Sequence, residues 1–409
     1  MAESISGVGT AIGAVALPLV AVVFLGAQPL EIGFLEAALW SPWLLFGLLA
    51  GVVVDRSNQR YLMITCDAVA AVAYGAVPII AYMQLLNMPL LIAVALLAGT
   101  VNVFSQATRQ TYPPTIVSDD KLPAANSALE ASGSVTDFAG APAAGVLIQF
   151  AGAVAGVGVN ALSFVLSAFL LLISPRSERP APSAQPEQVE RVGLVGQLTT
   201  GMRLVLDDVW LRGSATAAAV ANFAITGVGT LQALFLVRTI GLPPGWFGPM
   251  LMGEGLGGFL GAISANRLAS LLGTCRALLV GALFGPLLGS LVVFTHLGPS
   301  LAFFVVGSML STGAIVAGNV IFAIFRQRYI PAGLLGRTSS AVRVIAFCAA
   351  PLGALTAGVL AAIVGSRIAI LMLFACGLIR GLLFLRAPWR TRRDLPTEPD
   401  ANSALLQTL

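Results

Sequence analysis

Apolar residues follow one another along this chain in runs of about 20, the length an α-helix needs to cross the roughly 30 Å hydrocarbon layer of a bilayer. Twelve such runs are predicted, over residues 5–26, 31–54, 61–83, 89–109, 124–150, 154–173, 213–238, 246–268, 275–295, 299–325, 337–363 and 366–386. A strand facing lipid would alternate apolar and polar positions with period two, and these runs do not. The expected fold class is therefore all-α integral membrane, with 12 transmembrane helices. One long polar interruption, 174–212, is rich in Pro and charge and reads as a linker. It divides the chain into an N-terminal six-helix bundle (1–173) and a C-terminal six-helix bundle (213–386), followed by a tail (387–409). The later part of the linker, Val192 to Asp208, alternates apolar and polar residues at helical spacing and is expected to lie along the membrane surface.

Composition agrees with lipid as the solvent: 57% of residues are hydrophobic and 10% charged, against about 25% charged in soluble domains. The basic residues set the orientation, because cytoplasmic flanks of membrane helices are enriched in Lys and Arg. With the amino terminus inside, 18 of the 22 basic residues fall on the cytoplasmic side, only Arg238 and Arg367 lie outside, and Arg343 and Arg380 fall within helices. Both termini are thus expected to be cytoplasmic. The net charge of +4 then follows from topology, with anionic lipid headgroups and not nucleic acid as its partner. The first run has Glu3 and no basic residue before it, which argues against a cleaved signal peptide. Cys66, Cys275, Cys348 and Cys376 form no CxxC pair, so neither a disulfide framework nor a metal site is expected. No cofactor is implied either.

The halves echo each other. Asp55-Arg56 is matched by Asn266-Arg267 about 210 residues later, and Pro142 to Gly145 by Pro351 to Gly353 at nearly the same offset. Duplicated six-helix halves with a substrate site between them near the midplane are one transporter architecture. A short charged hairpin, from Gly51 to Met63, separates the second and third apolar runs. Its Gly51, Asp55, Arg56, Arg60 and Met63 resemble the loop motif between helices 2 and 3 of the major facilitator superfamily of secondary transporters. The usual second glycine is Asn58 here, and the first of two usual basic residues is Gln59. Val15 to Pro18, Pro42-Trp43, Leu122 to Ala128 and Gly336-Arg337 resemble the drug and siderophore exporter branch, which includes enterobactin exporters and macrolide efflux proteins.

That resemblance implies two pseudo-symmetric six-helix bundles, the major facilitator fold, in a bacterial plasma membrane. It implies alternating access with export of amphipathic small molecules, drugs or siderophore-like compounds, and a monomer. For Asp55 it implies a cytoplasmic latch facing the start of the eleventh span near Thr338 and Ser339, where unpaired N–H groups favour an anion. Gly140, Pro142 and Gly145 resemble a weakened form of the exporters' fifth-helix hinge, in which proline removes a backbone hydrogen bond and small residues permit sliding. The alternative for that segment is ordinary small-residue packing. Asn102, Gln106, Asn222, Thr226, Gln232 and Asn319 are candidate cavity residues by helix identity alone.

Intramembrane charge is costly and usually functional. Glu130, Ser134 and Asp137 share one helical face, and Asp137 lies about 20 Å along its helix at 1.5 Å per residue. Desolvation there disfavours the charged carboxyl, which makes Asp137 the first candidate for a proton carrier. An interhelical hydrogen bond is the competing role. Glu254, set among glycines on the eighth span, is the second candidate, with Arg343 as its possible ion-pair partner. Glu130 is the third and is expected to join the gate around Arg109 and Arg56, while Arg380 is expected to snorkel. The first span carries no acid where the branch often has one, at Thr10, so coupling would run through spans 5 and 8. An enzyme would need a nucleophile–base pair or a metal cluster. The single His296 and the absence of HExxH, GxSxG and GxxxxGK[ST] patterns argue against one. An importer, or a sensor or scaffold of the same fold that transports nothing, remains as the alternative.

Overall fold

The computed structural model describes residues 2–47, 49–111, 122–173, 194–386 and 388–398, with side chains described for these except 2–5, 51–52, 55–56, 109–111, 122–139, 194–200 and 332–333. Among the described residues every regular element is helical and none is a strand, as lipid demands of a chain that must satisfy its backbone polar groups within itself.

Helix α1 (Ala2–Leu19) ends in a π-helical turn, Val20–Phe24. Helix α2 is in three pieces, Pro29–Trp40, Pro42–Phe46 and Leu49–Arg56; Pro42 contributes to the first break because it lacks an N–H. Helices α3 (Gln59–Tyr82) and α4 (Met88–Thr111) follow. Leu122–Ile173 is one stretch of 52 residues interrupted at Gly152, whose φ of 84° no helix contains. A straight helix of that length would be about 78 Å long, so Gly152 is where α5 turns back as α6. After the linker helix Leu194–Asp207 come α7 (Val209–Ala233), with its own π-helical turn Leu234–Thr239, and α8 (Phe247–Met250 with Met252–Leu272). The last four are α9 (Thr274–Gly289), α10 (Leu301–Tyr329), α11 (Ala332–Val364) and α12 (Ser366–Gly377 with Ile379–Phe384). Nine stretches of the described residues are long and apolar enough to cross a membrane. The broken α2, the glycine-rich α8 and the division of one stretch at Gly152 make this consistent with twelve.

The duplication seen in sequence reappears as backbone geometry. The π-helical turns of α1 and α7 are each followed by a glycine in the left-handed region, Gly26 (φ 66°) and Gly241 (φ 80°). Gly152 between α5 and α6 has its equivalent in Gly365 (φ 81°) between α11 and α12.

Two compact units form: Met1–Glu190 with Leu236–Met252, and Arg191–Phe235 with Gly253–Leu409. Within the first, α1 lies so close on α6 that a Cβ at Gly13 would stand 2.2 Å from Asn160 Nδ2. Leu236–Met252 packs on the rest of this unit at several points. Arg238 donates to the carbonyls of Ala27 (2.6 Å) and Val22 (2.7 Å), and Gly248 meets Ala141 of α5, where a Cβ would sit 2.1 Å from the carbonyl oxygen.

In the second unit α8 lies backbone-to-backbone on α10. Cβ atoms on Gly253, Gly257 and Gly261 would fall 2.5, 2.1 and 2.3 Å from the carbonyl oxygens of Val305, Met309 and Gly313. Glycines four apart clear one helix face and let two axes approach. An aromatic core closes one end of this unit. Trp389, from beyond α12, packs edge-on to Trp210 (4.8 Å between centroids) and against Phe384 (4.9 Å). Asp208 anchors the same end: its Oδ1 accepts the N–H groups of Trp210 and Leu211, both at 2.9 Å, and its Oδ2 accepts the Tyr329 hydroxyl at 2.7 Å.

Replacing Gly257 by Val is expected to cost about 1–3 kcal/mol by overpacking the α8–α10 contact, read as a lowered melting temperature of the purified protein. Gly229→Ala, whose new Cβ would meet nothing within 4 Å, should leave the melt unchanged; indistinguishable melts for the two variants would refute this packing.

Candidate functional site

Three groups of residues carry chemistry, and each is fixed by a local sequence reason. The first is the hairpin after α2. The side chains of Gly51, Asp55 and Arg56 lie outside the described residues, although α2 itself extends through Arg56. Asn58, which stands where the motif usually has glycine, is the N-cap of α3: its Oδ1 accepts the N–H of Arg60 at 3.1 Å and of Tyr61 at 3.3 Å. An asparagine there satisfies two N–H groups that a glycine would leave to solvent. Arg60 then reaches along the surface, and its Nη2 donates to the carbonyls of Leu171 (2.7 Å) and Leu172 (3.0 Å) at the end of α6. Helix C-terminal carbonyls carry partial negative charge and favour a cation, so Arg60 holds α3 to α6.

The second group lies between α7 and α8. The side chain of Gln232, on the last turn of α7 before its π-helical segment, is buried and donates through Nε2 to Glu254 Oε1. Glu254 is half-buried on the α8 face next to the one that Gly253 and Gly257 press against α10. Glu254 is thereby set by two neighbours, the glycine stripe that fixes the helix and the amide that fixes the carboxylate. The expected pairing with Arg343 is not formed. Arg343 is exposed on α11, and no ion pair within 4 Å links it to Glu254; it lies within electrostatic reach of Arg326 at the end of α10. Of the other acids considered for coupling, Glu130 and Asp137 lie outside the described side chains. Glu36 on α2 accepts the indole N–H of Trp40 at 2.9 Å.

The third group is the small-residue segment of α5. Gly140 and Gly145 are buried and Pro142 half-buried. A Cβ on Gly145 would meet Pro249 Cδ at 2.4 Å and the Gly245 carbonyl oxygen at 2.7 Å, so this stretch of α5 and the start of α8 touch through backbone. Of the cavity candidates, Asn102, Gln106 and Asn319 are exposed. Asn222 is half-buried and donates to the Ala218 carbonyl one turn back in α7 at 2.9 Å. Thr226 is buried, beside the Gly227 that packs on Gly353 of α11.

Two arginines depart from their sequence-based roles. Arg380 does not snorkel: it is 6% exposed and its Nε has no hydrogen-bond partner among the described residues. Arg238, noted only as one of two outer cations, clamps the π-helical end of α1. A π-helical turn shifts the carbonyl register of the helix, but no sequence periodicity announces one.

With this geometry in view, comparison with known proteins gives the class. The model of the transmembrane secretion effector family matches residues 1–405. The chain is 25% identical over 416 residues to the multidrug efflux pump Tap of Mycolicibacterium fortuitum, covering 96% of each. It is 25% identical over 382 residues to Tap of Mycobacterium tuberculosis, covering 90% of this chain and 88% of that protein. Among solved structures, the nucleoside transporter NupG superposes with a TM-score of 0.74 at 12% identity, over 94% of this chain and 97% of that one. A bacterial homologue of the iron transporter ferroportin gives 0.70 at 18%, over 96% and 97%. The fold is that of the major facilitator superfamily, and the protein is a multi-pass membrane transporter and not an enzyme. Within that superfamily it belongs to the transmembrane secretion effector family.

Asn58→Ala removes the α3 cap and should lower unfolding stability by about 1 kcal/mol, with Asn58→Asp restoring most of it, as measured by thermal unfolding in detergent. No loss in the alanine variant would show that the cap contributes nothing.

Proposed function

We propose that the protein is a proton-coupled exporter of amphipathic small molecules, drugs or siderophore-like compounds, working by alternating access in a bacterial plasma membrane. The Glu254–Gln232 pair is the observation that carries the coupling. A carboxylate held by a neutral amide, with no cation within ion-pair distance among the described residues, is suited to exchange a proton, because taking one up breaks no salt bridge. A buried acid paired with an arginine would be held ionised and would resist protonation. Export and a drug-like cargo are supported by the full-length similarity to proteins named multidrug efflux pumps. Asp137 and Glu130 on α5 are the companion acids in this reading. Asp55, Arg56 and Arg60, with Gly51, serve the cytoplasmic gate, and Gly140, Pro142 and Gly145 serve as the point where α5 flexes. Both termini are cytoplasmic, the chain works as a monomer, and anionic lipids flank its basic rim.

Reconstitution into liposomes with an imposed pH gradient, following a lipophilic cationic dye and a siderophore, tests this. Glu254→Gln and Asp137→Asn should each cut gradient-driven flux about tenfold, a loss of roughly 1.4 kcal/mol in the limiting step. Gradient-driven flux that survives both substitutions together would exclude these acids as carriers. Asp55→Asn should abolish export at normal abundance in the membrane; unchanged export would remove the latch.

A further inference from the structure

The chain beyond α12 is basic and proline-rich, and its pattern alone would leave it in water. It folds instead onto the second unit. Trp389 is buried among Trp210, Phe322 and Phe384, and Gly213 of α7 makes room for its indole, which a Cβ there would meet at 2.6 Å. A few residues on, the chain crosses the start of α9. The N-cap position of that helix is Gly273, with φ 88° and no side chain to cap with. Asp394 does so from the tail: its Oδ1 accepts the Thr274 N–H at 2.8 Å, while the Arg393 carbonyl accepts the Cys275 N–H at 3.1 Å. The Leu395 N–H returns a bond to Thr274 Oγ1 at 2.6 Å.

This strap presents Arg386, Arg390, Arg392 and Arg393, all exposed, beside the exposed Arg212 of α7 and Arg276 of α9. Arg392 is steadied with its guanidinium 5.5 Å above the Trp210 ring, and the Arg390 N–H donates to the Arg386 carbonyl in the turn that follows α12. Among the described residues the exposed acids of this end are Asp207, Glu398 and Asp394, the last of which is held by α9 and lies 4.0 Å from Arg393 Nε. Arginine is in excess, and guanidinium groups bind phosphate oxygens in pairs. The apolar part of α12 ends at Phe384, so the arginines stand where the hydrocarbon layer gives way to headgroups.

We propose that the strap is a binding site for anionic phospholipid: Arg386, Arg390, Arg392 and Arg393, with Arg212 and Arg276, take the headgroup phosphate. Because Trp389 and Asp394 fix the strap to α7 and α9, the arginines are already ordered when the lipid arrives, which lowers the entropic cost of binding. The proposal deepens the placement of anionic lipid at the basic rim.

The test uses the full chain in nanodiscs of neutral phosphatidylcholine with or without phosphatidylglycerol, without cargo or pH gradient, so that it can fail while the transport reading stands. Wild-type protein should retain phosphatidylglycerol in native mass spectrometry and melt at a higher temperature when it is present. Substituting Arg386→Gln, Arg390→Gln, Arg392→Gln and Arg393→Gln together should weaken that retention at least tenfold and remove the rise, while the four corresponding Lys substitutions keep most of both. Should the glutamine variant melt early in neutral nanodiscs, the pair Arg386→Gln and Arg390→Gln, away from the Trp210 ring and the α9 cap, carries the same comparison. Equal retention by wild type and the glutamine variant overturns the proposal. So does an equal rise in melting temperature with inorganic phosphate in phosphatidylcholine alone, which would mark a general anion site.

Discussion

Close contact between bare backbones is the interaction on which this molecule rests. In lipid no hydrophobic force draws one apolar helix to another, and association depends on packing and on the polar groups that packing brings together. The chain meets this with glycines at helical spacing, which bring α8 onto α10, α7 onto α11 and α5 onto the start of α8 near enough that a methyl group would collide with a carbonyl. The placement of the few polar side chains follows from these contacts. Glu254 meets Gln232 because the stripe from Gly253 to Gly261 fixes the rotation of α8 about its own axis.

Charge is handled by a different rule at each depth. Arg60 and Arg238 sit at helix ends and bond to carbonyls, where the helix dipole or a π-helical turn leaves acceptors available. At the start of α12, Arg367 donates to the Thr295 carbonyl and to His296, and lies 5.7 Å over the Phe235 ring. Deeper in the bundle an amide takes the place of a counter-ion at Glu254. A neutral partner gives less electrostatic stabilisation than an arginine would.

Much of the architecture is legible in the sequence because apolar length and lipid thickness are one constraint. The glycine stripe on α8 was readable for a related reason: it is a local composition that only one environment tolerates. The misjudged features are tertiary. Arg343 and Glu254 look like partners because both are isolated charges in apolar runs, but nothing in helical periodicity says which way either points. Arg380 was expected to reach for water, yet the close packing of α12 on its neighbours at Gly377 and Gly381 leaves it inside. Gln232 could have been preferred over Arg343 only by knowing that α7 turns π-helical directly after it. The packing of the tail was not foreseen, because the one residue that points to it, Trp389, is too isolated to form a pattern.

The two halves solve the start of their third helix differently. In the first, Asn58 caps α3 from within its own loop. In the second, Gly273 offers no side chain, and Asp394 reaches in from the far end of the chain. A protein made from its amino terminus therefore closes α3 almost as soon as that helix leaves the ribosome, whereas α9 waits for some 120 further residues to be translated. Throughout that interval the second half has an open helix end and an unfilled place for Trp389. A chain that stopped just after Phe384 would carry every membrane helix from α1 to α12 and still present an unfinished surface to the cell's quality control.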